Sequence, residues 1–432
     1  MTTEPDALAP DGPAPAASAS VAGQAGAIGI ALIGASGLGF VLLGLMGRWL
    51  GRDDNAAFLT LWGLVFGFGS VISAIEQEIA RQATAAVLAG RRTPGSVAQL
   101  AAIALGVCVA VLGVVAVLPI GQATLRGSAA ITLLAFLALA GFTGQFLARG
   151  VFLGGRQTGR YVAVLVAEAG LRVVLAGALF FGGVAPSLPL AVACIVVGCF
   201  GWLPLAPALA RSVDWGAGHE PWRAAGGRVG ALALANGLSS LVLTAFPTLV
   251  TAVIGSPAGL ADLFGVVTVS RIPLVLVSPL QALAVPLAVR ALHDGKVARL
   301  GALQGRLAAG AAAAAAVLGA AGWLLGPWAM RVFFGEKYAD VSPALVAWVL
   351  ATSALLAAAL LQAAVFVALE RYRLVVLTWL LAVVAAVAAL LLPGAPEARG
   401  MAAFVAASVM AFGASGALLQ RAVRARIAAD QA

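Results

Sequence analysis

The sequence is poor in the residues that build most catalytic and metal sites. Its 432 residues include three cysteines and two histidines, and only 10% are charged. Cys108, Cys194 and Cys199 form no CxxC pair and lie in apolar stretches, which is typical of small buried packing residues. His219 and His293 are too far apart in sequence to indicate a metal site. The composition therefore predicts neither a metal nor a cofactor.

Two further absences narrow the functional class. No GxxxxGK[ST] motif occurs, so the chain does not bind ATP through a P-loop. No stretch is polar enough to form a separate soluble domain of ordinary size. What the chain does have is hydrophobic residues, which make up 62% of it. These features favour an integral membrane protein that is not an enzyme.

The hydrophobic residues fall into twelve runs, each close to the 20 or so apolar residues that a transmembrane helix needs. We therefore predict an all-α polytopic membrane protein with two lobes of six helices. The predicted spans are 24–46, 56–75, 97–119, 128–148, 161–182, 187–209, 229–254, 264–287, 301–325, 342–368, 374–393 and 399–420.

The basic residues predict the orientation of these spans. Of the 26 Lys and Arg residues, eighteen lie in every second connection or in the C-terminal tail, six lie in the other connections, and Arg172 and Arg271 lie inside spans. By the positive-inside rule, both termini are expected in the cytoplasm, with the protein in the plasma membrane. This topology explains the net charge of +9, so we expect no nucleic-acid partner.

The order of the spans suggests a division of the chain. The first 23 residues are rich in Ala and Pro and lack Lys and Arg, which predicts a disordered cytoplasmic tail rather than a cleaved signal. A shared Val-Phe pair, at Val151 and Val365, suggests an internal repeat. The expected parts are a tail at 1–23, an N-lobe at 24–210, a cytoplasmic loop at 211–228, a C-lobe at 229–420 and a tail at 421–432.

Three ionisable residues within the spans are candidates for a substrate cavity. Glu168 and Arg172 are one helical turn apart and can neutralise each other. They are either a structural pair or a functional one. Arg271 has no acidic partner in its own span and carries an insertion cost on the order of 3 kcal/mol. It therefore meets either a structural partner or a water-filled cavity, and such a cavity would be weakly cationic and suit a phosphate or pyrophosphate.

Further polar residues are predicted near the cytoplasmic side. Glu76 and Glu78 precede Arg81 at the end of the second span, which indicates a solvated cluster or, alternatively, a gating salt bridge. Asn236, in the seventh span, could bond a sugar hydroxyl in the cavity or pack against another helix. The sequence does not distinguish these two interpretations of Asn236.

The eighth span contains three prolines. Pro273, Pro279 and Pro286 share this span with Arg271, and each proline removes a backbone donor and bends a helix. A bent helix with a charge is a candidate gate, although prolines are also tolerated among neighbouring transmembrane helices.

Several segments resemble the multidrug/oligosaccharidyl-lipid/polysaccharide flippase superfamily, and within it the Wzx-like polysaccharide exporters. They are Gly47-Arg48-Trp49-Leu50-Gly51, Ile79-Ala80-Arg81, the run from Phe146 through Arg149 to Arg156, and Phe334-Gly335-Glu336-Lys337-Tyr338. The resemblance implies a MATE-like fold, alternating access, and movement of a polyprenyl-pyrophosphate-linked glycan from the inner to the outer leaflet. It implies membrane lipids and polysaccharide-assembly proteins as partners, and it adds Arg149 to the gating candidates.

Three other functions are compatible with this sequence. A cation-coupled multidrug exporter of the same fold would use an acidic residue in the N-lobe, and Glu168 beside Arg172 is a poor substitute. A membrane glycosyltransferase would need catalytic carboxylates on a large outer loop, whereas the predicted outer loops are short. A non-transporting scaffold would tolerate so apolar an interior.

Overall fold

The computed structural model describes residues 16–216, 222–255, 259–275, 277, 297–369 and 371–431. Two short strands, β1 (Thr93–Pro94) and β2 (Val213–Asp214), pair in parallel. The helices are α1 (Ala16–Trp49), α2 (Arg52–Leu88), α3 (Ser96–Val117), α4 (Pro119–Leu125), α5 (Ala129–Gly154), α6 (Thr158–Phe181), α7 (Leu188–Cys199), α8 (Ala206–Ser212), α9 (Trp222–Leu243), α10 (Phe246–Ile254), α11 (Ala261–Val269), α12 (Val297–Phe334), α13 (Pro343–Ala368), α14 (Tyr372–Leu390) and α15 (Pro396–Gln431).

The helices confirm the prediction of an all-α polytopic membrane protein. Within the described ranges, ten helical segments are long and apolar enough to cross a membrane, and the bent pair α9–α10 makes an eleventh. They match eleven of the twelve predicted spans. The other predicted span, 264–287, is described only as far as residue 277. The three cysteines are free and buried, as expected of packing residues.

Several helices are longer than hydrophobicity alone predicts. Helix α1 begins at Ala16, inside the segment expected to be a disordered tail, and α9 begins at Trp222, inside the expected loop. Helix α2 has 37 residues and ends at Leu88, whereas the predicted span ended at residue 75. A helix continues past an apolar run when its next residues still favour helix, so hydrophobic windows set only a minimum length.

The sharpest described bend lies where no bend was predicted. Helices α9 and α10 meet at 76°, although residues 229–254 read as one span. Pro247 lies in the first turn of α10, where its missing N–H is tolerated but the preceding helix cannot continue. Pro273 lies within a helical run at 271–275, and Pro279 lies outside the described residues.

Helix α2 belongs to the first half of the chain (α1–α8) and also packs against the second half (α9–α15). It packs against α5 on one side and against α9 and α10 on the other. A Cβ atom at Gly63 would lie 2.6 Å from the Thr248 hydroxyl oxygen and 3.1 Å from the Ala245 Cα atom. Only a glycine allows α2 and α10 to cross this closely, which is how small residues promote helix packing in lipid.

The connections between helices lie at two ends of the bundle. We call them the α1–α2 end and the α2–α3 end, after the first connection at each. Ion pairs and hydrogen bonds place the connections around residues 126, 184, 262 and 338 beside the α1–α2 connection. The β1–β2 pair brings the α2–α3 connection to the segment after α8.

Candidate functional site

A central cavity of about 230 Å³ lies between the two halves of the chain. Helix α1 forms one wall, from Leu32 to Leu43. Trp62 and Phe66 of α2 contribute aromatic rings to the lining. The ionisable residues on its surface are Glu168, Arg172 and Arg271. The structure therefore brings the three charged residues found inside spans to one cavity, although they come from distant parts of the sequence.

Glu168 and Arg172 form a buried ion pair on α6. The carboxylate Oε1 atom lies 2.7 Å from an Arg172 Nη2 atom, and 9% of Glu168 and 5% of Arg172 are exposed. The Gln145 amide of α5 donates to the other carboxylate oxygen. Burying two charges costs desolvation energy that the pair recovers only when its remaining polar atoms are also bonded. Each carboxylate oxygen of Glu168 is therefore bonded to a protein group.

Arg172 is held from several sides. Its Nε atom donates to the Ile195 carbonyl at 3.3 Å, and its guanidinium lies 5.0 Å from the centroid of the Phe66 ring. A Cβ atom at position 198 would lie 2.3 Å from the Arg172 Cγ atom, so Gly198 leaves the space that the side chain needs. Since Arg172 is neutralised by Glu168 and fixed by these contacts, it offers a ligand little free charge.

Arg271 differs from Arg172 in having no acidic partner among the described residues. Its one recorded side-chain bond is a long one, from Nη2 to the Thr244 hydroxyl at 3.4 Å. A guanidinium has five N–H donors, so within the described residues most of the hydrogen-bonding capacity of Arg271 has no acceptor. Among the described lining residues, Arg271 is therefore the arginine that no carboxylate neutralises.

Trp62 also lines this cavity, and the sequence reasoning missed it. Its side chain is 7% exposed, and its indole nitrogen is buried with no hydrogen-bond partner within the described part of the chain. The ring stacks on Phe66 with centroids 4.0 Å apart. Phe58, Trp62 and Phe66 recur every four residues on α2, and this aromatic row was the available signal.

Of the two interpretations drawn from the sequence for Glu76, Glu78 and Arg81, the solvated cluster describes Glu78 and Arg81 but is wrong for Glu76. Glu78 pairs with Arg81 at 2.6 Å, with more than half of the Arg81 side chain exposed. Glu76 instead forms a buried pair with Arg149 of α5 at 3.0 Å, and Arg149 also donates to the Tyr161 hydroxyl at 3.3 Å. The long helix α2 carries Glu76 into the bundle, which is why it is not solvated. This second ion pair lies within the first half and does not line the central cavity.

Asn236 lies away from the central cavity. Its amide donates to the Ser73 hydroxyl at 3.4 Å, across the contact between α9 and α2. Of the two interpretations drawn from the sequence, helix packing therefore describes its position. A separate apolar cavity lined by Val71 and Leu238 lies along the same pair of helices.

The halves are joined at the α1–α2 end by a polar cluster. The Asn55 amide donates to the Tyr338 hydroxyl at 2.7 Å, with both residues fully buried. Arg52 pairs with Asp262, and Lys337 donates to the Leu50 carbonyl. These contacts link the α1–α2 connection to two connections of the second half.

Burial in this cluster also changes the ionisation of its members. Burial raises the pKa of Tyr338 to about 12, so its hydroxyl stays neutral and can accept from Asn55. Burial and the nearby Arg52 charge lower the pKa of Lys337 below its ordinary value. The Phe334-Gly335-Glu336-Lys337-Tyr338 segment therefore supplies two of the contacts that close this end of the bundle.

Comparison with known proteins identifies relatives of this chain. It is 30% identical over 434 residues to the "Uncharacterized protein Rv3630" of Mycobacterium tuberculosis, with 96% of each chain covered. The chain belongs to the family of that mycobacterial protein. No protein-family model matches it.

Two solved structures have the same fold as this member of the Rv3630 family. An inward-facing multidrug resistance MATE family transporter of the MOP superfamily aligns with a TM-score of 0.67, at 15% identity, over 91% of this chain and 94% of that one. A MOP superfamily transporter from Pyrococcus furiosus, described as having a binding pocket of reverse polarity, aligns with a TM-score of 0.58, at 15% identity, over 94% of this chain and 96% of that one. The fold is that of the MATE transporters.

Proposed function

We propose that this protein is an alternating-access transporter that moves an anionic lipid-linked glycan, such as a polyprenyl-pyrophosphate saccharide, from the inner to the outer leaflet of the plasma membrane. The observation that carries the proposal is Arg271, an arginine with spare donors on a cavity between the two halves. A pyrophosphate accepts charge-assisted, bidentate bonds from a guanidinium better than a neutral ligand does.

The closed α1–α2 end supports a transport cycle of this kind. With the termini in the cytoplasm, as the basic connections favour, the Asn55–Tyr338 and Arg52–Asp262 contacts form an outer gate. On this proposal the protein in this state is inward-facing and receives its substrate from the cytoplasmic leaflet. Release to the outer leaflet requires these contacts to break.

Glu168 supports a second candidate, a cation-coupled multidrug exporter. It is the one carboxylate on the central cavity among its described lining residues, and a cationic drug or a coupling proton would need such a group. Against this candidate, Arg172 and Gln145 already occupy both carboxylate oxygens. The anionic substrate is therefore the better supported of the two.

One experiment separates the two functions. The purified protein is reconstituted in vesicles, and the transfer of a fluorescent polyprenyl-pyrophosphate disaccharide between leaflets is measured beside the efflux of ethidium. We expect Arg271→Gln to slow lipid transfer about 10- to 100-fold, the effect of losing a charge-assisted hydrogen bond. The double variant Glu168→Ala with Arg172→Ala removes the buried pair as a whole, and it is expected to leave lipid transfer largely intact.

The opposite pattern would support the exporter. In that case wild-type vesicles transport ethidium but not the lipid, and the Glu168→Ala, Arg172→Ala double variant abolishes the ethidium efflux. Arg306→Gln, a change to an exposed arginine outside the cavity, is the matched control and should behave as the wild type in both assays.

A further inference from the structure

The apolar cavity between helices α2 and α9 is separate from the central cavity that Arg271 lines. Its volume is about 460 Å³, twice that of the central cavity, and falls in the range of sites that bury a whole small ligand. No charged side chain is among its described lining residues. Leu234 lines the cavity and is 54% exposed, so the cavity is open on one side. Its lining therefore fits a hydrocarbon that enters from outside the bundle.

The cavity is elongated along both helices. On α9 its lining runs from Ala233 to Leu241, about 12 Å at 1.5 Å per residue, and it continues past the bend to Thr248. On α2 the lining runs from Leu64 to Val71, about 10 Å. A slot of this shape encloses an extended chain better than it encloses a compact group.

Both halves of the chain form this cavity, which distinguishes it from the lipid-facing surface. Leu64 and Phe68 belong to α2 in the first half, and Leu234 and Leu238 belong to α9 in the second half. Hydrophobicity does not draw a hydrocarbon out of lipid, so packing against such paired walls is what holds a chain in a membrane protein. A chain bound here contacts both of the halves that alternating access moves.

One end of the cavity lies beside the residue that contacts Arg271. The Thr244 hydroxyl accepts the hydrogen bond from Arg271 at 3.4 Å, and the next residue, Ala245, lines the apolar cavity. Helix α2 packs directly against this turn, since a Cβ atom at Gly63 would lie 3.3 Å from the Thr244 carbonyl oxygen. The turn between α9 and α10 therefore contacts the arginine through one residue and the apolar cavity through the next.

From these observations we propose that the cavity between α2 and α9 binds the hydrocarbon chain of the substrate while the pyrophosphate pairs with Arg271. The occupant is a single polyprenyl chain, which begins near Ala245 and runs along α9 towards Ala233. This inference rests on the proposed function and adds a chain-binding site to its anion site.

The first test locates the chain by photo-crosslinking of the full-length protein in phosphatidylcholine nanodiscs. The probe is farnesyl pyrophosphate with a diazirine at the far end of its chain, and the labelled peptides are identified by mass spectrometry. We expect labelling of α9 between Ala233 and Leu241 and of the facing part of α2, and we expect excess unlabelled farnesyl pyrophosphate to abolish it. Labelling that survives this competition would show that the cavity holds bulk lipid, and it would overturn the proposal.

The second test fills the cavity with Leu234→Trp. Because more than half of Leu234 is exposed, the larger ring can occupy the cavity without displacing a buried neighbour. Microscale thermophoresis measures the affinity for farnesyl pyrophosphate and for inorganic pyrophosphate, which has the anion without the chain. We expect farnesyl pyrophosphate to bind about 10-fold more weakly than it binds the wild type, the cost of overpacking a site, and inorganic pyrophosphate to bind as before.

Leu324→Trp is the matched control. Leu324 lies on α12, is 76% exposed and is not among the described lining residues of the cavity, so the same change there should leave both affinities unchanged. The melting temperatures of both variants are measured alongside. If Leu234→Trp does not fold, the crosslinking result decides the matter, and it also decides where the two tests disagree.

The outcomes separate this proposal from the proposed function. If the wild type binds both pyrophosphates equally tightly, or if Leu234→Trp weakens both equally, the chain makes no contact of its own and the chain site is wrong. The anion site and the proposed function survive either result. If the wild type binds neither pyrophosphate probe, the proposed function fails and the chain site fails with it.

Discussion

The two halves of the chain use similar helices but bury different kinds of polar group. Helices α5 and α13 each have 26 residues, and each is followed after the same short connection by a further helix, α6 or α14. Glu168 lies ten residues after the start of α6, and Ala382 lies ten residues after the start of α14. By the same register, Arg172 corresponds to Ala386. Both alanines are fully buried.

The second half has a buried polar group of its own, but it is neutral. The Gln362 amide donates to the Gln304 carbonyl oxygen at 2.9 Å, and the Ser415 hydroxyl donates to Gln362. The first half instead buries the pairs Glu168–Arg172 and Glu76–Arg149. A neutral network satisfies its hydrogen bonds without burying charge, so we expect that the ion pairs of the first half are not a requirement of the fold.

The largest expected effect comes from making α6 resemble α14. Arg172→Ala leaves Glu168 as an unpaired buried charge, and we expect the free energy of unfolding to fall by about 3–5 kcal/mol. Replacing both residues, as Glu168→Ala with Arg172→Ala, also removes the Glu168 charge and should recover most of the lost stability. Thermal unfolding in detergent, followed by intrinsic fluorescence, measures both.

Arg160→Ala provides the control for that comparison. Arg160 is an exposed arginine near the start of the same helix, and its removal should change the unfolding free energy by less than about 0.5 kcal/mol. A double variant that is no more stable than Arg172→Ala would show that the ion pair is required for the first half to fold.

A smaller effect is expected in the neutral network of the second half. Gln362→Leu leaves the Gln304 carbonyl oxygen without its donor, and we expect the free energy of unfolding to fall by about 1–3 kcal/mol. The same unfolding measurement checks it. If Gln362→Leu lost more stability than Arg172→Ala, the claim that a buried ion pair is costlier to break than a neutral network would be wrong.

A still smaller effect is expected where the halves meet. Tyr338→Phe removes the acceptor for the buried Asn55 amide, which should cost about 1 kcal/mol in the closed state. Because the contact spans the two halves, the loss should favour opening of the α1–α2 end. Cysteine pairs placed across that end are expected to form a disulfide less readily in Tyr338→Phe, and unchanged cross-linking would argue that the contact is no gate.

The smallest effect is expected at the contact between α9 and α2. Asn236→Ala removes a single long hydrogen bond to Ser73, so we expect the free energy of unfolding to fall by less than about 0.5 kcal/mol and the transfer of the lipid-linked saccharide to stay unchanged. A large loss of transfer would contradict this expectation. It would support the other interpretation made from the sequence, in which Asn236 contacts the substrate.

The fold was predictable because membrane spans are set by local composition. Apolar runs locate the helices, and alternating basic connections predict how they are arranged. The bend at Pro247 was missed because a hydrophobic window is insensitive to a single proline. The burial of Glu76 was missed because α2 continues as a helix past its apolar run. The polar residues that follow the run therefore also pack inside the bundle.

The site was predictable only in part. Unpaired charge in an apolar span pointed to Arg271, and the helical spacing of Glu168 and Arg172 predicted their pair. Hydrogen bonds between distant segments leave no local pattern, so Gln145 as a partner of Glu168 could not be found from sequence. Trp62 was missed for a related reason, since an indole without a partner is recognised only once its neighbours are known.

The central claim is that Arg271 presents a free positive charge to an anionic substrate in the cavity between the halves. The most direct test compares Arg271→Lys with Arg271→Glu in the vesicle assay for lipid-linked saccharide transfer. We predict that the lysine variant keeps measurable transfer, because it keeps the charge but not the planar fork, and that the glutamate variant has none. Transfer by Arg271→Glu at the wild-type rate would contradict the account.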